Sequence, residues 1–199
     1  MGKVVVLAGV PGVGKTTLMN RLMELTKERG LRLEFVTYGT LMLQIAQKRG
    51  LVSDRDELKN LPLERQQELQ LEASERIKAL SSREGTLLVD THMFIKTPRG
   101  RWPGISVANL GFLKPDQFLL VEEEAERILT RREKDSARRR NMSEIRGIEA
   151  ELEYSRHMAA ACSVMTGSPV ERILNREGKL DQAVERIIAL IERVGELDA

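Results

Sequence analysis

The sequence is poor in cysteine, in aromatic residues and in long apolar runs. Cys162 is the only cysteine among 199 residues, so an internal disulfide is excluded and a reducing compartment is allowed. No apolar run reaches the ~18–20 residues that a membrane-spanning helix needs, and residues 1–8 read as a strand and not as a signal peptide. These absences predict a soluble, cytoplasmic protein that does not act in a membrane.

The sequence also lacks an excess of charge of either sign. Charged residues make up 31% of the chain, yet the net charge is only +2. Such a balance argues against a general polyanion binder, so nucleic acid is not an expected partner, although charge can still cluster locally. The length fits one compact domain that carries an insertion or two.

The stretch Gly9–Thr17 reads GVPGVGKTT and fits G-x-x-x-x-G-K-[ST], the phosphate-binding loop. An apolar run, KVVVLA, precedes it, and a helical pattern of leucines follows it. Glycines let the backbone approach phosphate oxygens, and free N–H groups at a helix start point at the anion. Lys15 adds positive charge for the β and γ phosphates, and the Thr16 hydroxyl can ligate Mg²⁺. The predicted ATP phosphate-binding residues are Gly9, Val10, Pro11, Gly12, Val13, Gly14, Lys15, Thr16 and Thr17.

Apolar strand patterns alternate with helical patterns along the whole chain. Strands are predicted over residues 3–8, 33–38, 86–90, 117–121 and 170–174. Helices are predicted over about 15–29, 39–50, 62–80, 122–132 and 143–165, and in a last segment capped by Asp181. This alternation predicts an α/β, three-layer P-loop NTPase fold whose five-stranded parallel sheet has helices on both faces.

Two segments between the predicted strands and helices also allow a structural prediction. Ser53 with Asp56 resembles a small capping box ahead of a short helical turn. The stretch from Thr91 to Gly111 has no clear period, and we predict a long loop there, which inside a compact domain is usually functional or disordered.

Asp90 ends an apolar strand, at the place where a carboxylate in P-loop proteins holds Mg²⁺, often through a water. The alternative role for Asp90 is to cap the turn that follows it.

His92 lies next to this site. A lone histidine is more often a hydrogen-bonded structural residue than a catalyst, and in-line phosphoryl transfer needs little general base. The sequence leaves both roles of His92 open.

Basic residues crowd together between positions 127 and 140. The cluster consists of Arg127, Arg131, Arg132, Lys134, Arg138, Arg139 and Arg140. Such a run is usually a solvated face, and Glu133 and Asp135 would partly neutralise it. Guanidinium groups, however, match phosphate oxygens bidentately and stabilise charge on a transferring phosphoryl group. Because a phosphate loop occurs in the same chain, we favour a phosphate-binding role.

Five stretches, in order, resemble the archaeal-type adenylate kinases, a P-loop nucleoside monophosphate kinase family. They read GVPGVGKTT, YGTLM, SDRDELKNLP, DTHMFIKTPRGRWPG and RREKDSARRRN, and the resemblance extends to NREG before the last helix. It implies a single kinase domain with sheet order 2-3-1-4-5, an AMP-binding insertion at about 38–82 and a short lid at about 132–142. It also implies the reaction ATP + AMP ⇌ 2 ADP with Mg²⁺ as cofactor, and a homotrimer.

The resemblance assigns further site residues. The implied catalytic residues are Lys15, Arg131, Arg138 and Arg140, and the implied metal-side residues are Thr16 and Asp90, the latter through water. The implied AMP-binding residues are Tyr38, Gly39, Thr40, Arg55, His92, Thr97, Pro98 and Gly100. Two positions depart from the family, which usually has tyrosine in place of Arg101 and proline in place of Ser106. Both departures affect the expected shape of the 98–106 loop.

Other functions share part of this pattern. A kinase for another monophosphate, such as UMP or CMP, would have every feature except the family resemblance. A GTPase would need N-K-x-D and D-x-x-G motifs, and neither occurs. A nucleotide-gated RNA-binding or scaffold protein could use the arginine cluster, but no aromatic residues are interleaved there for base stacking. Base selectivity at the monophosphate site cannot be read from the residues themselves.

Overall fold

A computed structural model describes residues 2–81, 85–97, 100–132 and 142–196 of the chain. The strands are β1 (Lys3–Ala8), β2 (Leu33–Thr37), β3 (Thr86–Thr91), β4 (Phe94–Thr97), β5 (Gly100–Pro103), β6 (Gln117–Glu122) and β7 (Val170–Leu174). The helices are α1 (Lys15–Glu28), α2 (Tyr38–Lys48), α3 (Arg55–Leu58), α4 (Leu63–Leu80), α5 (Val107–Leu113), α6 (Ala125–Arg132), α7 (Met142–Thr166) and α8 (Leu180–Glu196).

Five strands form a parallel sheet in the order β2-β3-β1-β6-β7. Numbered along the chain, these strands have the predicted order 2-3-1-4-5, and the predicted fold class is confirmed. The central strand β1 is buried from Val4 to Ala8, as expected for a parallel strand covered on both faces. The register pairs Ala8 with Thr91, so the strands that carry the predicted site end at the same edge of the sheet.

Helices cover the sheet and pack in groups. The helix α1 packs against α8, α4 packs against α2 and α5, and α6 packs against α7. Cys162 of α7 is buried, and burial raises the pKa of its thiol. Within the described residues, no helix is both long enough and apolar enough to cross a membrane.

The prediction of one long loop between Thr91 and Gly111 was wrong. The strands β4 and β5 form an antiparallel hairpin in which Ile95 pairs with Trp102, and α5 follows it. The helix α5 begins with a capping box, because Ser106 and Asn109 exchange side-chain and backbone hydrogen bonds. Strands of four residues are too short to show a clear alternation, and this box has asparagine where glutamate or glutamine is the usual signal.

Two other local predictions were wrong. The short helix α3 is capped by Asp54 and not by a Ser53–Asp56 box, because the Asp54 carboxylate accepts hydrogen bonds from the N–H groups of Asp56 and Glu57. Asp181 does not cap the last helix but lies in its first turn, where its carboxylate accepts a hydrogen bond from an arginine of α1.

Glu122, predicted to begin a helix, is instead the last residue of β6 and is only 2% exposed. Its carboxylate accepts hydrogen bonds from Arg156 of α7 at 2.7 and 2.9 Å and from Arg172 of β7 at 3.0 and 2.5 Å. Burial opposes ionisation of Glu122, but the two arginines outweigh it and hold its pKa below the ordinary value. This ion pair therefore joins strand β6, strand β7 and helix α7.

We predict that Glu122→Gln lowers the free energy of unfolding at pH 7 by about 2 kcal/mol, because two guanidinium groups lose their charged partner. Since the pKa of Glu122 is lowered in the folded state, its contribution is present at neutral pH and is lost as pH falls below the ordinary value of 4.5. The deficit should therefore be largest at neutral pH and shrink in acid, as measured by urea denaturation.

Glu171→Gln in β7 is the matched control, because its carboxylate pairs with Arg186 at the surface. We expect it to change the free energy of unfolding by less than about 0.5 kcal/mol. If Glu122→Gln does not lower the free energy of unfolding at pH 7, or lowers it equally at every pH, this account of the ion pair is contradicted.

Candidate functional site

A cavity of about 1070 Å³ opens beside the carboxyl ends of β2 and β3 and the loop that follows β1. This is the edge at which ligands bind in open parallel sheets. Six residues predicted to bind ATP phosphates line it: Val10, Pro11, Gly12, Gly14, Lys15 and Thr16. Gly9 and Val13 are buried, and Thr17 is exposed in the first turn of α1. A volume at the upper end of the usual ligand-pocket range leaves room for more than one small molecule.

Two glycines give the phosphate loop its shape. Gly12 has φ 91° and Gly14 has φ 85°, a region that side-chain-bearing residues adopt only under strain. Gly14 is the N-cap of α1 and offers no side chain to the N–H groups of the first turn. Those N–H groups are therefore left for an anion, as at other phosphate-binding helix starts.

The carbonyl groups of the loop have hydrogen-bond donors of their own. Four of them each accept a hydrogen bond from a side chain that lies far away in the sequence. The pairs are His92 Nδ1 with Gly9 O at 2.7 Å, Arg132 Nε and Nη2 with Pro11 O at 2.9 and 2.7 Å, Arg131 Nη1 with Gly12 O at 3.4 Å, and Asn175 Nδ2 with Val13 O at 2.8 Å. We call these four side chains the carbonyl anchors.

Lys15 lies between the loop and the end of β3. Its Nζ atom is 3.0 Å from Asp90 Oδ1 and donates a hydrogen bond to the Thr91 carbonyl at 2.5 Å. Burial lowers the pKa of Lys15, and the neighbouring Asp90 carboxylate opposes that shift. The predicted phosphate-binding cation and the predicted metal-side carboxylate are thus in direct contact in the cavity wall.

His92 is held as a neutral imidazole. Because a carbonyl can only accept, the 2.7 Å contact with Gly9 O means that His92 Nδ1 carries the proton. Burial lowers the pKa of His92 to about 4, and the positive charge of Lys15, whose Nζ atom is 3.3 Å from His92 Nδ1, acts in the same direction. His92 therefore acts as a hydrogen-bond donor to the loop at neutral pH.

The two arginines at the end of α6 are each paired with a buried carboxylate. Arg131 Nη2 donates to Glu123 at 2.8 Å, and Arg132 Nη2 donates to Glu151 at 2.8 Å. Glu151 also pairs with Lys96 of the β4–β5 hairpin. Burial opposes ionisation of Glu151, but its two cationic partners outweigh it and lower its pKa. Of the predicted catalytic arginines, only Arg131 can be located, since Arg138, Arg140 and residues 133–141 of the expected lid lie outside the described residues.

The residues predicted to bind AMP fall into two groups. Tyr38, Gly39, Thr40, Arg55 and His92 line the same cavity as the phosphate loop. Thr97 and Gly100 lie at the hairpin turn, where the Thr97 hydroxyl donates to the Gly100 carbonyl at 2.9 Å. Neither is among the described residues that line the cavity, and Pro98 lies outside the described part of the chain.

Within the first group, Tyr38 and Arg55 have different surroundings. Tyr38 is buried, and its hydroxyl donates to the Gln70 carbonyl at 2.6 Å. Burial raises the pKa of this phenol. Arg55 is exposed, and its guanidinium lies against Gly39 so closely that a β carbon at Gly39 would overlap it.

Several residues of the site were missed by sequence reasoning. Apolar side chains of the cavity wall include Phe35, Met42, Leu58 and Trp102. Glu123 and Asn175 directly follow β6 and β7, so their positions at the carboxyl edge of the sheet were a usable signal. Glu151 lies in the middle of α7, and no local pattern distinguishes it.

Arg101 and Ser106, the two residues that depart from the family pattern, both make contacts within the structure. The Arg101 guanidinium lies over two aromatic rings, 5.0 Å from the centroid of Tyr154 and 5.7 Å from that of Phe94. Cation–π contacts of this kind stabilise the position of an exposed arginine. Ser106 supplies the N-cap of α5. The hairpin therefore packs on α7, and the segment after it is fixed by a helix cap.

Comparisons with known proteins show which family this sequence resembles. A family model described as an AAA domain matches residues 8–149. The adenylate kinase of Methanocaldococcus jannaschii is 41% identical over 190 residues, which are 96% of this chain and 98% of that relative. The adenylate kinase of Methanoculleus marisnigri is 38% identical over 191 residues, which are 96% of this chain and 99% of that relative.

A solved structure shares the fold at low sequence identity. Shikimate kinase from Acinetobacter baumannii, in complex with shikimate, superposes with a TM-score of 0.53 at 19% identity over 97% of this chain and 94% of that chain. That likeness concerns the fold alone, whereas the relatives above match in sequence over nearly their full length. The chain therefore belongs to the adenylate kinase family.

Proposed function

We propose that this protein is an adenylate kinase, a phosphotransferase that interconverts ATP and AMP with two ADP in a Mg²⁺-dependent reaction. The observation that carries the proposal is a phosphate loop whose Lys15 contacts Asp90 in the wall of a cavity of about 1070 Å³. Phosphoryl transfer depends mainly on positioning and on stabilising the charge of the transferring group. The names of the relatives support AMP as the acceptor.

On the triphosphate side, we assign phosphate binding to the loop from Gly9 to Thr17 and to the first turn of α1. Lys15 reaches the β and γ phosphates in this proposal. Its present partners are one carboxylate and one carbonyl. Phosphate oxygens would offer the ammonium further charge-assisted hydrogen bonds.

The residues present fit a magnesium ion. Thr16 and Asp90 line the cavity and would hold Mg²⁺, the carboxylate through a water. Mg²⁺ keeps several waters and takes few protein ligands when it binds with substrate phosphates. When bound, the ion would neutralise charge on the phosphates.

On the monophosphate side, we assign phosphate binding to Arg55 and to the first turn of α2. Tyr38, Gly39 and Thr40 form that turn, and no side chain caps it at Thr37. A free helix start next to a guanidinium is suited to a phosphate. The apolar side chains of the wall are suited to a base. The proposed AMP roles of Thr97, Pro98 and Gly100 rest on the family resemblance.

Cations converge between the two proposed phosphate sites. Lys15 and Arg55 both line the cavity. Burial is the main cause of the lowered pKa of Lys15 and of His92, and the charge of Arg55 adds to it. Negative charge accumulates at the transferring phosphoryl, so preorganised positive charge at this place would lower the barrier. We further propose that Arg131, Arg138 and Arg140 join these groups when a lid at about 132–142 closes and excludes water.

We also propose a homotrimer in the cytoplasm. Apolar side chains are exposed near the end of α7, where Val164 is 86% and Met165 53% exposed, and on the edge strand β7 at Leu174. Exposed apolar surface often marks a subunit contact. The family resemblance supports three subunits, and the single cysteine is compatible with a reducing compartment.

We predict that Lys15→Ala abolishes turnover of ATP with AMP while the fold is retained. Loss of a preorganised cation at the transferring group should raise the barrier by on the order of 3–4 kcal/mol. The rate of ADP formation measures the effect, and circular dichroism checks the fold. Lys27→Ala, on the exposed last turn of the same helix, is the control and should keep wild-type turnover. A Lys15→Ala variant with more than about a tenth of wild-type turnover would refute the assignment.

Arg138→Lys tests the proposed lid, since it keeps the charge and loses the planar fork. We expect kcat to fall at least about tenfold, or about 1.4 kcal/mol of barrier, with smaller changes in nucleotide affinity. Arg193→Lys in α8 is the control for the same exchange at an exposed position. If Arg138→Lys instead raises the KM for ATP at constant kcat, the arginine only captures substrate and the lid role is wrong.

Light scattering tests the assembly. We expect about three times the chain mass of 22.5 kDa at micromolar protein concentration, because a trimer would bury the exposed apolar side chains. A monomer of 22.5 kDa under these conditions would rule out the proposed trimer.

A further inference from the structure

Asn175 directly follows strand β7, and its side chain is buried beneath the phosphate loop. The residue is 5% exposed, and its Nδ2 donates to the Val13 carbonyl at 2.8 Å. Its backbone N–H donates to the Glu122 carbonyl at 2.9 Å, which continues the β6–β7 pairing. The sheet therefore fixes the backbone that presents this amide to the loop.

The space beside Gly14 is occupied by this amide. A β carbon at Gly14 would lie 2.6 Å from Asn175 Nδ2 and 3.1 Å from Arg131 Nη1. Glycine is thus required at this position for two reasons, its φ of 85° and the close approach of the amide.

The geometry of the peptide unit relates the hydrogen bond between Asn175 and the Val13 carbonyl to the direction of the Gly14 N–H group. In a planar trans peptide, the C=O and the following N–H point in opposite directions. Holding the Val13 carbonyl against Asn175 therefore turns the N–H of Gly14 to the opposite side of the same peptide. Val13 is itself buried, and a buried carbonyl without a donor is costly, so the amide favours this one orientation.

Among the four carbonyl anchors, Asn175 is the one whose effect can be isolated. Arg131 and Arg132 carry charge that would attract phosphate directly, and His92 lines the cavity. Asn175 is uncharged, and it is not among the described residues that line the cavity. We therefore expect an effect of its amide on phosphate binding to pass through the loop carbonyl that it contacts.

We propose that Asn175 is a positioning residue for the triphosphate site, whose amide orients the Val13–Gly14 peptide so that the Gly14 N–H can donate to a bound phosphate. This inference depends on one part of the proposed function, namely that the loop binds the phosphates of ATP. It does not depend on which monophosphate accepts the phosphoryl group.

Asn175→Leu removes the amide, keeps a similar shape and adds no charge. We would measure the dissociation constants of three ligands by titration calorimetry on the full chain: ATP with Mg²⁺, AMP, and inorganic tripolyphosphate with Mg²⁺. The affinities for ATP and tripolyphosphate should both fall about tenfold, equivalent to about 1.4 kcal/mol. The affinity for AMP should stay within about twofold, because the amide does not touch its proposed site.

Asn109→Leu is the matched control. Asn109 is also a buried asparagine, and its Nδ2 donates to Ser74 Oγ at 3.0 Å, away from the phosphate loop. It should lose thermal stability and keep the wild-type affinity for ATP. If Asn175→Leu does not fold, Asn175→Ala takes its place in the same titrations.

Each other outcome would overturn the proposal. A loss of ATP affinity without a loss of tripolyphosphate affinity would mean that Asn175 acts on the nucleoside and not through the loop. Equal losses for ATP and AMP would mean a general structural role, as would a loss of ATP affinity in Asn109→Leu of the same size. Unchanged ATP affinity would mean that the amide does not orient the loop. Failure of the proposed function would show separately, as a wild-type protein that binds ATP and does not phosphorylate AMP.

Discussion

The site depends on one constraint of the peptide unit: a phosphate loop can turn its N–H groups inward only if its carbonyl groups find donors outward. Four carbonyls between Gly9 and Val13 have such donors. The donors come from the residue after β3, from α6 and from the end of β7. The parallel sheet makes this possible, because its strands all end at the edge where the loop begins.

The cations of the site are balanced by carboxylates that have little contact with water. Arg131 pairs with Glu123, whose side chain is 1% exposed, and Arg132 pairs with Glu151, whose side chain is 6% exposed. Arg132 lines the cavity together with Lys15, whereas Arg131 is not among the described residues that line it. These pairs also hold the two guanidinium groups against loop carbonyls, so charge and loop geometry are set by the same contacts.

The sequence predicts the features that short local patterns and the family resemblance determine. The phosphate loop has a fixed spacing, and the five core strands and their order follow from apolar runs and from the family pattern. The carbonyl anchors could not be predicted, because Asn175 and Val13 are 162 positions apart and only the folded sheet brings them together. The β4–β5 hairpin was missed because its strands are four residues long. The roles assigned to Arg138 and Arg140 stay predictions.

The most direct test of the proposed activity is the initial rate of phosphoryl transfer from ATP to a panel of monophosphates. AMP, UMP, CMP and GMP would be compared at equal concentration with Mg²⁺ in a coupled assay of ADP formation. The account predicts that AMP is the preferred acceptor by at least about tenfold in kcat/KM. A preference for UMP or CMP, or hydrolysis of ATP that does not respond to any monophosphate, would contradict it.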